Sequence, residues 1–167
     1  RLVMKCTSGT SETLAQPLYH SMLGDRAAQF VDRLGWDLCV NMAGHEQDEY
    51  DDTASHYVVV HDGARHLGSC RLRRVRSGPR LLKHFGVVFP SALSFIEGQE
   101  SRLFELTRFC RSPSTSPDDS RCMLGHLAEE LDSIQADARA VGYIAVVYAH
   151  VARFLDRIGV RYLRLSQ

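Results

Sequence analysis

HYVVVHDGARHLGSCRLRRV, residues 56–75, decides the fold. Two runs of apolar and β-branched residues flank Asp62-Gly63, a dipeptide that supplies the positive φ a tight turn needs. The stretch predicts an antiparallel hairpin. Upstream, RAAQFVDRLGW (26–36) predicts a helix with Ala27, Phe30, Val31 and Leu34 on one face and Gly35 as its stop. DLCVNM (37–42) reads as a short strand. Downstream, LFELTRFC (103–110) alternates as a strand, and the Ser- and Pro-rich RSPSTSPDDS (111–120) is a loop. Leu124, Leu127, Leu131, Ile134, Ala138 and Val141 then recur at helical steps, with Asp118, Asp119 or Ser120 as the cap. YIAVVYA (143–149) is so uniformly apolar that it predicts a strand buried on both faces. AHVARFLDRIG (149–159) predicts an amphipathic helix ending at Gly159, and VRYLRL (160–165) a closing strand. That order implies an α/β three-layer αβα sandwich around a mixed central sheet.

With 167 residues, 44% of them hydrophobic, the chain suits one domain over 1–167. Formal net charge is zero, which argues against nucleic-acid binding. No apolar run is long enough to span a membrane, and RLVMKCTSGT lacks the apolar centre of a signal peptide. The five cysteines are odd in number and form no C-x-x-C pair. They argue against a disulfide framework or a zinc site and for a reducing cytoplasm. His56, His61 and His66 are five apart across the hairpin turn, which is not a metal-binding spacing. Strand alternation splits the arginines of RLRRVR (71–76) between two faces, so they form no continuous basic stripe. Cys110 reads as core.

The charge pattern has one oddity. EQDEYDD (46–52) places five carboxylic acids just before the first hairpin strand. Alone, the run is a solvated loop or a site for a cationic ligand.

Four blocks give it context. They are Arg26-x3-Phe30-x3-Leu34-Gly35-Trp36, Glu46-x-Asp48-x-Tyr50-Asp51, Gly68-Ser69-Cys70-Arg71-Leu72 and Phe104-Glu105-Leu106-Thr107-Arg108-Phe109. In this order they closely resemble the LuxI-type acyl-homoserine-lactone synthases, over roughly residues 19–165. Pro79-x-Leu81-Leu82 with Phe85 or Phe89 fits a looser family pattern. The resemblance implies a GNAT-like acyltransferase fold and a reaction. The amine of S-adenosylmethionine attacks the thioester of an acylated acyl carrier protein or an acyl-CoA. The carboxylate then displaces methylthioadenosine, and a homoserine lactone closes. No cofactor or metal is implied, since S-adenosylmethionine is a substrate. Family members usually continue past this chain's end, and Arg1 is not a methionine, so terminal segments are expected to be missing.

The resemblance assigns Glu105 as the base for the amine, with an ion-paired carboxylate as the alternative. Asp48 and Asp51 are the acidic part of the sulfonium site, and which of them meets the ligand stays open. Arg26, Arg71 and Arg108 match the family's arginines. At least two are expected to hold the carboxylates, because an unpaired buried carboxylate would protonate. Glu46 also matches, whereas Glu49 and Asp52 are expected to be solvated. Phe30 and Trp36 offer aromatic faces to the sulfonium or adenine, or pack as core. Thr107, Phe109, Val147 and Tyr148 complete the expected substrate contacts, with the acyl chain running between LFELTRFC and YIAVVYA. Family members that prefer 3-oxo chains often carry a threonine on YIAVVYA; residues 144–149 contain no Ser or Thr, so the resemblance implies an unsubstituted acyl chain. The pyrophosphate-gripping [QR]-x-x-G-x-[GA] loop of acetyl-CoA-dependent relatives is absent after LFELTRFC. That favours a carrier-protein donor, for which Arg153 and Arg157 are docking candidates. An N-acyl amino acid synthase and a degenerate acyl-binding relative are the alternatives.

Overall fold

The hairpin forms where Asp62-Gly63 places it, and the rest of the sheet grows from its two strands. The computed structural model describes residues 3–75 and 94–165, so Pro79, Leu81, Leu82, Phe85 and Phe89 lie outside the described residues. Its elements are β1 (Lys5–Gly9), α1 (Gln16–Arg26), β2 (Ser55–His61), β3 (His66–Arg74), β4 (Leu103–Arg111), α2 (Pro117–Asp137), β5 (Gly142–Ile144) and α3 (Ala149–Arg157). Among the described residues the sheet runs β1-β2-β3-β4-β5, antiparallel except for the parallel β4/β5 pair. This is the expected mixed sheet. Gly63 has φ +108°, the left-handed conformation that the turn requires.

Strand alternation sorts the sheet into two faces. Val58, Val60, Cys70, Leu72 and Phe104 pack under Met123 and Leu127 of α2. Tyr57 and Val59 pack under Leu18, Tyr19, Met22 and Leu23 of α1. The α1 face also carries Arg71 and Arg73, whose cross-strand partners are Thr107 and Glu105. Arg74 points the other way, its guanidinium 4.7 Å from the centroid of the Phe104 ring. Gly68 is needed for packing: a Cβ there would sit 2.3 Å from Met123 Sδ.

Several expectations need correction. β1 was not foreseen, because KCTSG is a polar edge strand whose stability comes from its pairing with β2. The first helix begins at Gln16, and Ala27–Arg33 widens into a π-helical turn. That wider winding turns Leu34 out into solvent, while Ala27 and Phe30 stay buried. Gly35 does end the turn, at φ +68°. DLCVNM is not a strand; only an isolated Val40–Glu46 bridge forms there. The cap of α2 is Ser116, which accepts from Asp119 N–H, and Asp118 and Asp119 instead occupy the first turn. Val141 lies beyond the end of α2 and is exposed. YIAVVYA is a strand only to Ile144, where its pairing with β4 stops at Glu105. VRYLRL forms no strand, and Val146, Val147 and Tyr148 are exposed.

Candidate functional site

EQDEYDD folds as a tight polar turn laid over the α1 face of the sheet. Glu46 N–H donates to Leu23 O (3.2 Å), which ties the turn to α1. Asp51 N–H donates to Asp48 O (3.0 Å), and Asp48 N–H donates to Asp51 Oδ2 (2.9 Å). The Asp48 side chain caps Tyr50 N–H at 2.9 Å. These bonds fix the two aspartates relative to each other before any arginine is added.

The three arginines then close on the turn from three elements. Arg26, at the end of α1, donates Nε–H to Glu46 (2.6 Å) and forks onto both oxygens of Asp51 (2.8 and 2.9 Å). Arg71, on β3, donates to Asp48 (2.6 and 3.2 Å) and to Thr107 Oγ1 (3.2 Å), and lies 2.9 Å from Asp51 Oδ1. Arg108, on β4, bridges Glu46 (2.9 Å) and Asp48 (2.9 Å). Three guanidinium groups thus match three carboxylates, as bidentate geometry favours. Arg108 sits at φ +52°, where β4 has one more residue than β3 between the Ser69–Cys110 and Arg71–Thr107 pairs. This bulge re-aims the Arg108 side chain.

The electrostatics follow from the geometry. Burial opposes ionisation of Asp51, but hydrogen bonds and charge from Arg26, the charge of Arg71 and the Asp48 N–H hold its carboxyl far below the usual range. Asp48 is also lowered, with burial outweighed chiefly by Arg71 and then by Arg108. Burial lowers the Arg26 guanidinium, and its carboxylate partners more than reverse that. The Asp51 side chain is 1% exposed and Asp48 16%, so Asp48 is the more open of the two.

Glu105 is buried on the same face, level with Arg73 and beside Thr107. Tyr50 covers this edge, with Arg71 and Arg73 at 6.0 and 5.6 Å from its ring centroid. An aromatic wall stands beside it. Phe30 and Trp36 stack at 4.8 Å and 8°, and Trp36 meets Tyr148 at 6.1 Å. Arg108 lies 5.8 Å from the Phe30 ring centroid. Phe30 is therefore buried between Trp36 and an arginine, while the half-buried Trp36 is the more accessible ring.

Other residues lie further out. Phe109 and Val147 are exposed, as are Arg153 and Arg157 on α3. Glu49 is exposed as expected. Asp52 is not simply solvated: Arg73 holds both its oxygens at 2.5 and 2.9 Å. Sequence reasoning missed Tyr57, whose hydroxyl donates to Asp51 Oδ1 at 2.8 Å. The signal was available, since Tyr57 shares strand parity with Val59 and sits across from Arg71. Among the described residues no helix is long and apolar enough to cross a membrane. Nor does any group of three or more His, Cys, Asp or Glu side chains there suit a metal ion.

Comparison with known proteins places this arrangement. The family model described as autoinducer synthase matches residues 12–167. An acyl-homoserine-lactone synthase of Aeromonas salmonicida is 32% identical over 146 residues, covering 82% of this chain and 66% of that protein. One from Aliivibrio fischeri is 30% identical over 159 residues, covering 90% and 78%. Among solved structures, the AHL synthase LasI superposes with a TM-score of 0.74 at 24% identity, over 95% of this chain and 79% of that one. BjaI, a CoA-dependent acyl-homoserine lactone synthase solved with SAM and isopentyl-CoA, gives 0.70 at 18% identity, over 94% and 72%. An acyl-CoA N-acyltransferase from Pseudomonas aeruginosa, at 0.56 and 17% identity over 94% and 88%, shares the same GNAT-like architecture. The chain thus spans about two thirds or more of the relatives it matches.

Proposed function

The chain belongs to the autoinducer synthase family, and from that premise we propose that it is an acyltransferase that makes an acyl-homoserine lactone. S-Adenosylmethionine is the acceptor, and an acyl thioester on acyl carrier protein, or alternatively CoA, is the donor. One observation carries the reading. Glu105, Thr107, Asp48 and the arginine cluster converge on one face of the sheet, next to the Phe30–Trp36 stack.

In this reading Trp36 faces the sulfonium or adenine, with Phe30 as its backing. Asp48, the more open carboxylate, meets the cationic part of the substrate, and Asp51 and Glu46 keep the arginines in place. The α-amine titrates near ~8, so a modest base is enough to free it. Glu105 takes its proton, directly or through water, as the nitrogen attacks the thioester carbonyl and the thiol leaves. The substrate carboxylate, guided by one of the arginines, then attacks its own γ-carbon. The C–S bond breaks, methylthioadenosine departs and the lactone closes. The chemistry needs no cofactor or metal. The substrates are metabolites of the cytoplasm, where we place the protein. Arg153 and Arg157 are a docking face for an acidic carrier protein. An unsubstituted acyl chain runs past Val147 towards Tyr148, with Phe109 at its margin.

The test incubates the protein with S-adenosylmethionine and matched sets of medium-chain acyl carrier proteins and acyl-CoAs. Lactone and methylthioadenosine in equal amounts are expected, faster from the carrier protein. No lactone from any donor overturns the reading. A linear acyl amino acid without methylthioadenosine indicates an N-acyl amino acid synthase instead.

A further inference from the structure

Behind the arginine cluster lies a second polar chain that the proposed chemistry does not use. His66, at the start of β3, is 0% exposed. Its Nδ1 is 2.7 Å from Asp25 Oδ2, and its Nε2 is 2.8 Å from Ser69 Oγ. A carboxylate can only accept, so Nδ1 carries the proton that faces Asp25; in the neutral imidazole Nε2 then accepts from the Ser69 hydroxyl. The backbone N–H of His66 donates to Ser21 Oγ at 3.1 Å. Ser21 and Asp25 are four apart on α1 and share a helix face, so α1 grips the start of β3 with two side chains.

An Asp–His–Ser series at these distances has the connectivity of a hydrolytic relay. Ser69, however, is 1% exposed beneath a fully buried imidazole, so its hydroxyl meets no substrate. The neighbours of the chain indicate a different use. Asp25 is followed at once by Arg26. Ser69 lies two residues from Arg71, and it pairs with Cys110 at the edge of the bulge that sets Arg108. A satisfied buried polar network fixes one arrangement of the elements it joins, because any other leaves a buried group unpaired.

We propose that Asp25, His66 and Ser69 form a positioning clamp that holds α1 against β3 so that Arg26 and Arg71 meet Asp51 and Asp48 in one geometry. Its effect on substrate rests on the synthase reading above; its effect on the fold does not.

The test uses Asp25→Ala, which cuts the chain at its partly exposed end, Ser69→Ala, which removes only a hydroxyl, and the double variant. Amide hydrogen exchange is followed at Asp48 and Asp51, whose N–H groups are bonded within the turn, and at Val59 and Val60 in β2. Each single variant should speed exchange at Asp48 and Asp51 by about tenfold or more and leave β2 within twofold. The double variant should go little further, since it cuts one chain twice. The KM for S-adenosylmethionine should rise several-fold, and by more than kcat falls. Exchange at Asp48 and Asp51 within twofold of wild type in both single variants overturns the clamp. So does a uniform rise across all four amides, which marks general destabilisation. If the wild-type protein makes no lactone, the synthase reading fails, and the exchange comparison still decides the clamp.

Discussion

The turn at residues 46–52 and the segment at 144–149 were both expected to meet substrate, yet the fold treats them in opposite ways. The first is highly charged, yet it buries Glu46 and the Asp51 side chain to 1% exposure each, while Gln47 and Glu49 stay in solvent. The second is nearly all apolar, yet Val147 and Tyr148 are 45% and 56% exposed. The difference teaches that charge does not by itself choose the surface. A carboxylate with fixed donors can be buried because each oxygen is matched by a partner, and removing one partner leaves a costly charge behind. An apolar run has no such directional partner. Its burial depends on whether another element covers it, and the short β4/β5 pairing covers little beyond Ile144.

The largest expected effect would break this contrast directly. Arg26→Ala leaves Glu46 and Asp51 short of their main donor and should cost about 3–5 kcal/mol of stability, read from the urea midpoint. A loss below ~1 kcal/mol would mean that the turn is not held by its ion pairs. Next, Glu105→Gln should lower the acylation rate by about 10²-fold while the KM for S-adenosylmethionine changes little. Equal losses in both would make Glu105 structural.

Acid should also separate the regions. Asp48 and Asp51 have depressed carboxyl pKa values in the folded state, so their stabilisation is present above the unfolded value near ~3.9 and is lost as pH falls below it. Urea midpoints should therefore be flat around neutrality and drop from about pH 5 downward. Replacing Asp51 with Asn should shrink that acid-dependent part. Tyr57→Phe removes one donor from the ionised Asp51 and should cost about 1.5–3 kcal/mol. Smallest of all, Tyr148→Ala should change stability by no more than about 0.5 kcal/mol, as exposed positions do. It should still lengthen the preferred acyl chain, measured by mass spectrometry of the lactones. A large stability loss there would show that the apolar segment is core after all.

The β2–β3 hairpin, the long α2 and the set of carboxylates and arginines were all legible in the sequence by itself. Turn chemistry at Asp62-Gly63 and helical periodicity from Leu124 to Ile134 are local, and local propensity needs no partner. The four family-like blocks were likewise written in the chain. Tertiary structure alone decided which arginine holds which carboxylate, because Arg26 reaches Glu46 across 20 residues and Arg108 reaches it across 62. It also decided that the helix widens before Leu34, that β4 bulges at Arg108, that KCTSG pairs as an edge strand and that YIAVVYA stops at Ile144. Each of these depends on what a neighbouring element offers: a pairing edge, a covering face or a hydrogen-bond donor. His66 shows this most plainly. In the chain it was one of three evenly spaced histidines, and only α1 packed on β3 gives its two ring nitrogens Asp25 and Ser69 as partners.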